Sequence, residues 1–196
     1  MACAIKLVAG LGNPGNQYAE TRHNAGFRFL DAVARRYDCS LAHENRFHGD
    51  VGKAMIAGSP VWLIKPQTFM NLSGDGVATL ARFYKIEPAE VLVAHDELDI
   101  PPGEVRLKQG GGHGGHNGLR DIHNKLGSSD YMRLRIGIGH PGNARQVSNY
   151  VLTKAVADEQ SLTDAAIQAA LDELEDIING NFQKVMNRLH AGNGNS

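Results

Sequence analysis

His23 and Asp96 are the pair in this chain whose possible chemistry is easiest to state. His23 lies in Thr21-Arg22-His23-Asn24-Ala25-Gly26, just ahead of an apolar helical stripe. Asp96 lies in Val93-Ala94-His95-Asp96-Glu97-Leu98-Asp99, directly after the pattern of a buried strand. A carboxylate bonded to one imidazole nitrogen fixes the tautomer and stabilises the protonated ring, which makes histidine a competent general base. Each residue also has a plainer reading: a structural or exposed histidine near a helix start, and a turn or cap aspartate. Three asparagines stand at loop mouths. Asn13, Asn71 and Asn117 can orient a carbonyl and its developing oxyanion by neutral hydrogen bonds, while Asn71 and Asn117 fit helix caps equally well. No Ser or Cys stands in a nucleophile-elbow context, which points to water as the nucleophile.

Two glycine-rich runs border these residues. Gly10-Leu11-Gly12-Asn13-Pro14-Gly15 matches G-x-G-x-x-G, the dinucleotide-binding pattern. That reading fails on context. The segment after it, Asn16–Arg22, has no apolar periodicity, and the acidic residue near the required distance, Asp31, falls within a helix pattern. The hexapeptide reads instead as a tight turn after a strand that presents Asn13. The second run, Gly110–Gly115, lets backbone approach a ligand closely and precedes a helix N-terminus, but it lacks the Gly-Lys-Ser/Thr ending of an NTPase loop. Lys108 before it, with Arg133 or Arg135 on the next strand, forms a candidate phosphate clamp; solvated surface charge is the plain alternative. His113 and His116, with His95 and Asp96, match no zinc spacing, so no metal is expected.

The elements that must position these residues alternate between strand and helix patterns. Strands are expected at Ile5–Gly10, His48–Ala57, Val61–Lys65, Val91–Ala94, Glu104–Lys108 and Leu134–Ile138. Helices are expected at Ala25–Tyr37, Gly74–Tyr84 and Leu119–Leu126. An acidic helix with Ile167, Leu171, Leu174, Ile177 and Ile178 on its apolar stripe is expected to end at Gly180, with a short helix following from Phe182 to Leu189. This predicts a single α/β domain over 1–190, with a twisted, mixed, mostly parallel central sheet flanked by helices and antiparallel pieces near Phe47–Lys65. Residues 191–196 carry no packing signal and are expected to fray. The chain has 196 residues, 42% of them hydrophobic, enough for a substantial core. Cys3 and Cys39 suggest reduced thiols, and no apolar run approaches a membrane span, so a cytoplasmic protein is expected. A net charge of −1 argues against a non-specific nucleic-acid binder but leaves room for a local basic patch.

Six motifs in order resemble the bacterial peptidyl-tRNA hydrolases. They are Leu11–Gly15, Thr21–Gly26, Phe69-Met70-Asn71-Leu72-Ser73-Gly74, His95–Asp99, Gly115–Leu119 and Arg133–Gly139, and the resemblance spans roughly residues 5 to 190. It implies a monomeric, metal-free and cofactor-free esterase that cleaves the bond between a peptide and the 3′ ribose of tRNA. It further implies His23 as the base, Asp96 as its stabiliser and Asn13 as the residue that separates N-blocked from free aminoacyl-tRNA. Asn71 and Asn117 would position the ester and terminal nucleotide. Tyr18 and Phe69 match positions that contact tRNA, Met70 lines the same cleft, and His116 is grouped with these substrate contacts. Lys108 and Arg135 match a pair that grips the 5′-phosphate. Departures fall in Ser128–Met132 and after Asn143, outside the motifs. Two rival readings remain at this point: a nucleotide-binding module built on the first glycine loop, and a non-catalytic tRNA-binding protein.

Overall fold

A computed structural model describes residues 4–191, which leaves Cys3 and the expected frayed tail from 192 onward outside the described residues. Ala191, grouped with that tail on sequence, closes the last helix instead. Four strands run parallel at the centre of one seven-stranded sheet: β1 (Leu7–Gly10), β4 (Ser59–Pro66), β5 (Val91–Glu97) and β7 (Met132–Gly137). Antiparallel strands extend both sides, with β3 (Gly49–Ile56) and β2 (Ala42–Glu44) beyond β4, and β6 (Val105–Gln109) beyond β7. The order is β2-β3-β4-β1-β5-β7-β6. Only β2 has no counterpart in the sequence pattern; it is three exposed residues whose side chains bury nothing. The β3–β4 hairpin turns on Ala57 and Gly58 alone, both at positive φ (51° and 76°), a twist-matched two-residue turn.

Helices cover both faces, so β1 is buried throughout and β5 is buried up to Glu97. Helix α1 (Ala25–Arg36) and the C-terminal α5 (Ala157–Asp172), α6 (Leu174–Ile178) and α7 (Phe182–Ala191) pack with Val8, Leu92, Leu134 and Ile136. On the other face, α2 (Ser73–Phe83) and α3 (Asn117–Leu126) pack with Leu7, Ala9, Val91 and Val93. Alternate residues of β1 and β5 thus feed the two cores. The acidic helix expected to run to Gly180 is divided at Glu173 into α5 and α6. A short helix, α4 (Val147–Val151), lies between β7 and α5.

The chain leaves β1 for β4 on one side and then crosses to β5 on the other. Strand order therefore reverses around β1, and the crevice outside the strand C-termini at such a point is where open α/β sheets bind ligands. The first glycine run serves packing there. A Cβ on Gly12 would lie 2.6 Å from the Phe27 ring, and one on Gly10 would collide with the Gly26 carbonyl. Of the three glycines only Gly15 has positive φ (105°), and a 3-10 turn at Asn16–Tyr18 follows it; α1 starts ten residues later, at Ala25. Gly10 and Gly12 are thus small because α1 lies against the end of β1, which corrects the reading of all three as turn formers.

The atoms nearest to Gly26 are all backbone. Its Cβ would stand 2.5 Å from the Leu11 nitrogen, 2.7 Å from the Leu11 oxygen, and against the Ala94 carbonyl. Backbone cannot yield as a flexible side chain can. Gly26→Ala is expected to lose about 1–3 kcal/mol to overpacking, against a helix-propensity gain of at most about 1 kcal/mol. The urea midpoint should fall with an unchanged slope, whereas Gly112→Ala, in open space, should stay within about 0.5 kcal/mol of the parent. A midpoint unchanged in Gly26→Ala would refute the packing argument.

Candidate active site

A cleft of about 680 Å³ opens at the C-terminal ends of β1, β4 and β5. Asn13, His23, Met70, Asn71, Asp96, His116 and Asn117 all line it. Asp96, near the end of β5, is 3% exposed. Its Oδ2 accepts from His23 Nδ1 at 2.8 Å and its Oδ1 from His116 Nε2 at 2.8 Å. The two imidazoles stand 5.1 Å apart across the carboxylate. His23 sits on a 3-10 turn (Arg22–Asn24) that runs into α1, so the helix seated by Gly10, Gly12 and Gly26 delivers the ring.

Hydrogen bonds fix both tautomers. His116 is the N-cap of α3: its Nδ1 accepts from Leu119 N–H at 3.3 Å, which leaves the ring proton on Nε2, facing Asp96. The His23 proton is likewise held on Nδ1 by Asp96, leaving Nε2 with its lone pair as a base. These groups form the one cluster among the described residues with metal-ligand character, the donor atoms of His23, Asp96 and His116 lying within 4.8 Å. Each of those atoms is already matched by a hydrogen bond. His113, included in the sequence-level grouping, is not part of that cluster.

Burial pulls the His23 pKa down, but the Asp96 charge and hydrogen bond outweigh it and the net shift is upward from 6.5. Burial would raise Asp96, yet the two neighbouring imidazoles hold it far below the usual carboxylate range. His95 goes the opposite way to His23. Fully buried behind the site, beside His116 and Arg133, it is held well below 6.5. Its Nδ1–H donates to the Asp96 carbonyl at 2.8 Å and its Nε2 accepts from Arg133 Nε at 3.3 Å.

Asn13 ties three loops together. Its Oδ1 accepts from Met70 N–H at 2.7 Å, and its backbone N–H and C=O pair with the side chain of buried Asn24 at 2.8 and 2.9 Å. The Asn13 Nδ2 is thereby the atom left to donate into the cleft. Asn24 was missed on sequence, although it stands beside His23 in the same motif. The capping readings of Asn71 and Asn117 fail. Asn71 lies in a 3-10 turn (Met70–Leu72) with no side-chain cap bond, and Asn117 is one residue inside α3 because His116 holds the cap. Both asparagines are exposed to the cleft. Phe69 is 59% exposed at the rim, edge-on to Tyr18 with centroids 6.4 Å apart.

The candidate phosphate clamp is on one face of the β6–β7 edge. Lys108 pairs across the ladder with Arg133, and Arg106 with Arg135, so all four cations share a face. Arg135 Nε is bound to Glu97 at 2.8 Å. Arg133 is 3% exposed and its Nη1 donates to the carbonyls of Gly110 and Gly112, so it shapes the second glycine loop rather than reaching solvent. Arg22 was also overlooked. Its guanidinium stacks 3.9 Å over Tyr150 and donates to the Tyr150 carbonyl, which holds the far wall of the cleft, α4, against the His23 turn.

The opposed shifts set a pH dependence. The raised His23 pKa means its pairing with Asp96 contributes stability fully below 6.5 and loses it as pH rises through the folded value. The depressed Asp96 contributes above the ordinary carboxylate range and loses that as pH falls through its folded value. Asp96→Asn removes the charge and leaves burial dominant, so the His23 pKa should drop from above 6.5 to below it. Titration of the His23 ring by NMR in both proteins checks this; an equal pKa in the two would refute the coupling.

Comparison with known proteins identifies the family. A model of the family described as peptidyl-tRNA hydrolase matches residues 7–196. Among curated relatives, a peptidyl-tRNA hydrolase of Marinomonas sp. is 56% identical over 188 residues, 95% of this chain and 97% of the relative. One of Coxiella burnetii is 56% identical over 191 residues, 97% of this chain and all of the relative. The crystal structure of peptidyl-tRNA hydrolase from Acinetobacter baumannii superposes with a TM-score of 0.93 at 49% identity, covering 96% of each chain. This chain therefore belongs to the peptidyl-tRNA hydrolase family.

Proposed function

We propose that this chain hydrolyses the ester joining an N-blocked peptide to the 3′ ribose of tRNA, with His23 as general base. The observation that carries the mechanism is the 2.8 Å bond from His23 Nδ1 to Asp96, which leaves Nε2 as the acceptor in the cleft. Nε2 takes a proton from water as the water oxygen attacks the ester carbonyl. The imidazolium that forms is stabilised by the Asp96 carboxylate. The tetrahedral oxyanion meets neutral amide donors from Asn13, Asn71 and Asn117. Collapse breaks the bond to the ribose oxygen, which leaves with the proton returned from His23 Nε2. The proton acceptor and the oxyanion donors are all side chains of this protein.

Substrate contacts follow the cleft outward. The committed Oδ1 of Asn13 leaves a donor suited to a peptide carbonyl, the feature that separates an N-blocked substrate from a free aminoacyl group. Tyr18, Phe69 and Met70 form an apolar wall on that side, and His116 contributes through Asp96. Lys108 and Arg135 supply sequence-independent phosphate contacts, the kind that fix register without reading bases. We further place the enzyme in the cytoplasm as a monomer that recycles tRNA during translation; no helix among the described residues is long and apolar enough to cross a membrane.

Release of N-acetyl-aminoacyl groups from tRNA tests the base. His23→Ala should lose at least ~100-fold in kcat, the scale of general-base catalysis, while its urea unfolding transition stays cooperative. Near-parental turnover would sink the mechanism and favour a non-catalytic tRNA-binding protein. Lys108→Ala should weaken tRNA binding mainly at low salt and flatten the plot of log affinity against log salt, by a slope of about one. An unaltered slope would remove Lys108 from the phosphate contacts.

A further inference from the structure

Two histidines on the cleft rim take no part in the scheme above. His113 belongs to the second glycine loop and His140 follows β7, and both line the cleft. They sit in the same local device. Gly115 N–H donates to His113 Nδ1 at 3.0 Å, and Gly142 N–H donates to His140 Nδ1 at 2.9 Å. Each is a His-x-Gly turn whose third residue has positive φ, 84° at Gly115 and 90° at Gly142. A Cβ at either glycine would touch nothing within 4 Å, so backbone conformation rather than space demands glycine there. An Nδ1 that accepts a hydrogen bond leaves the ring proton on Nε2. Neither Nε2 has a partner among the described residues; His113 is half-buried and His140 exposed. The turns therefore offer two N–H donors, preset in tautomer, at the mouth of the cleft.

The surroundings select what they donate to. The loop carrying His113 rests on Arg133 through the Gly110 and Gly112 carbonyls, and Lys108 flanks it so closely that a Cβ on Gly111 would lie 2.9 Å from Nζ. His140 comes just beyond the strand of Arg133 and Arg135. The nearby cleft carboxylates are engaged already, Asp96 by two imidazoles and Glu97 by Arg135. The rim is thus rich in donors and cations, and suits a ligand that carries repeated anionic oxygens. We infer that His113 and His140 donate through Nε2 to phosphodiester oxygens of the single-stranded 3′ end of the substrate, a role that rests on the proposed peptidyl-tRNA hydrolysis.

Two replacements separate this role from turn-making. Asparagine keeps an oxygen where Nδ1 accepts from the glycine N–H but has nothing at the Nε2 position. Glutamine places an amide N–H near Nε2. His113→Asn and His140→Asn should each raise KM for N-acetyl-aminoacyl-tRNA about 3–10-fold, the scale of one exposed hydrogen bond, and the glutamine variants should recover most of it. The loss should shrink on N-acetyl-aminoacyl-adenosine, which has no phosphodiester. A turn-only role reverses the order, with asparagine harmless and glutamine damaging, and would overturn the inference. Equal losses on both substrates would also overturn it, by assigning the donors to the peptide. Wild-type cleavage with unchanged variants defeats the inference alone, whereas a wild type inert on both substrates defeats the proposed function and the inference with it.

Discussion

A carboxylate buried to 3% exposure is the constraint around which this structure is arranged. Removing such a charge from water costs several kcal/mol, and only well-placed donors can offset it. Asp96 has two, the rings of His23 and His116, one on each oxygen. The His23 ring arrives on the turn that opens α1, and α1 can come close enough only because Gly10, Gly12 and Gly26 carry no side chains. His116 arrives on the first turn of α3, where it satisfies an orphan helix N–H with one nitrogen and the carboxylate with the other. Helix packing on one face of the sheet and helix capping on the other thus converge on one pair of oxygens.

That convergence explains why adjacent histidines behave differently. His23 and His95 both lie within hydrogen-bond reach of residue 96, but His23 meets its charged carboxylate and His95 its neutral backbone carbonyl. A carbonyl dipole does not repay the burial of an imidazolium, and Arg133 beside His95 adds repulsion. His95 is therefore fixed as a neutral spacer between Arg133 and the strand end, while His23 keeps a proton affinity suited to exchange with water. Strand alternation contributes to this, since consecutive residues 95 and 96 point to opposite faces and the Asp96 carboxylate is turned to His23 rather than to His95.

Much of this was legible in sequence, and the parts that were not share a cause. The central strands and the three helices α1, α2 and α3 follow apolar periodicity because their burial is one-sided or complete. His23, Asp96 and Asn13 stood out because they end strands or open helices. What periodicity cannot convey is which partner a polar atom finds across the fold. Asn24 looked like a neighbour of His23, yet its amide is spent on the Asn13 backbone. His116 displaced Asn117 from the cap because an imidazole can accept on one side and donate on the other, a double duty that asparagine, favoured by propensity, is not asked to perform here. Arg133 fits a surface charge by its sequence and Arg22 carries no signal of its own, but each has its guanidinium bonded to backbone carbonyls far along the chain. Strand β2 left no trace because its three residues bury nothing.

The same separation between composition and placement resolves the charge of the chain. A net charge of −1 gives no global attraction to a polyanion. The antiparallel register of β6 on β7, however, sets Arg106 opposite Arg135 and Lys108 opposite Arg133, and period-two alternation puts all four on one face. Acidic residues gather on α5 and α6, where Arg36 and Arg188 meet Asp172, Glu173 and Asp176. Opposite signs are thereby sorted to different parts of the fold. Two carboxylates are bound among the four cations, Glu97 to Arg135 at 2.8 Å and Glu104 to Arg106 at 3.3 Å, and they steer those side chains without cancelling the group. With two carboxylates, Glu97 and Glu104, against four cations, the local field at the β6–β7 edge is positive within a Debye length even though the molecule as a whole is near neutral.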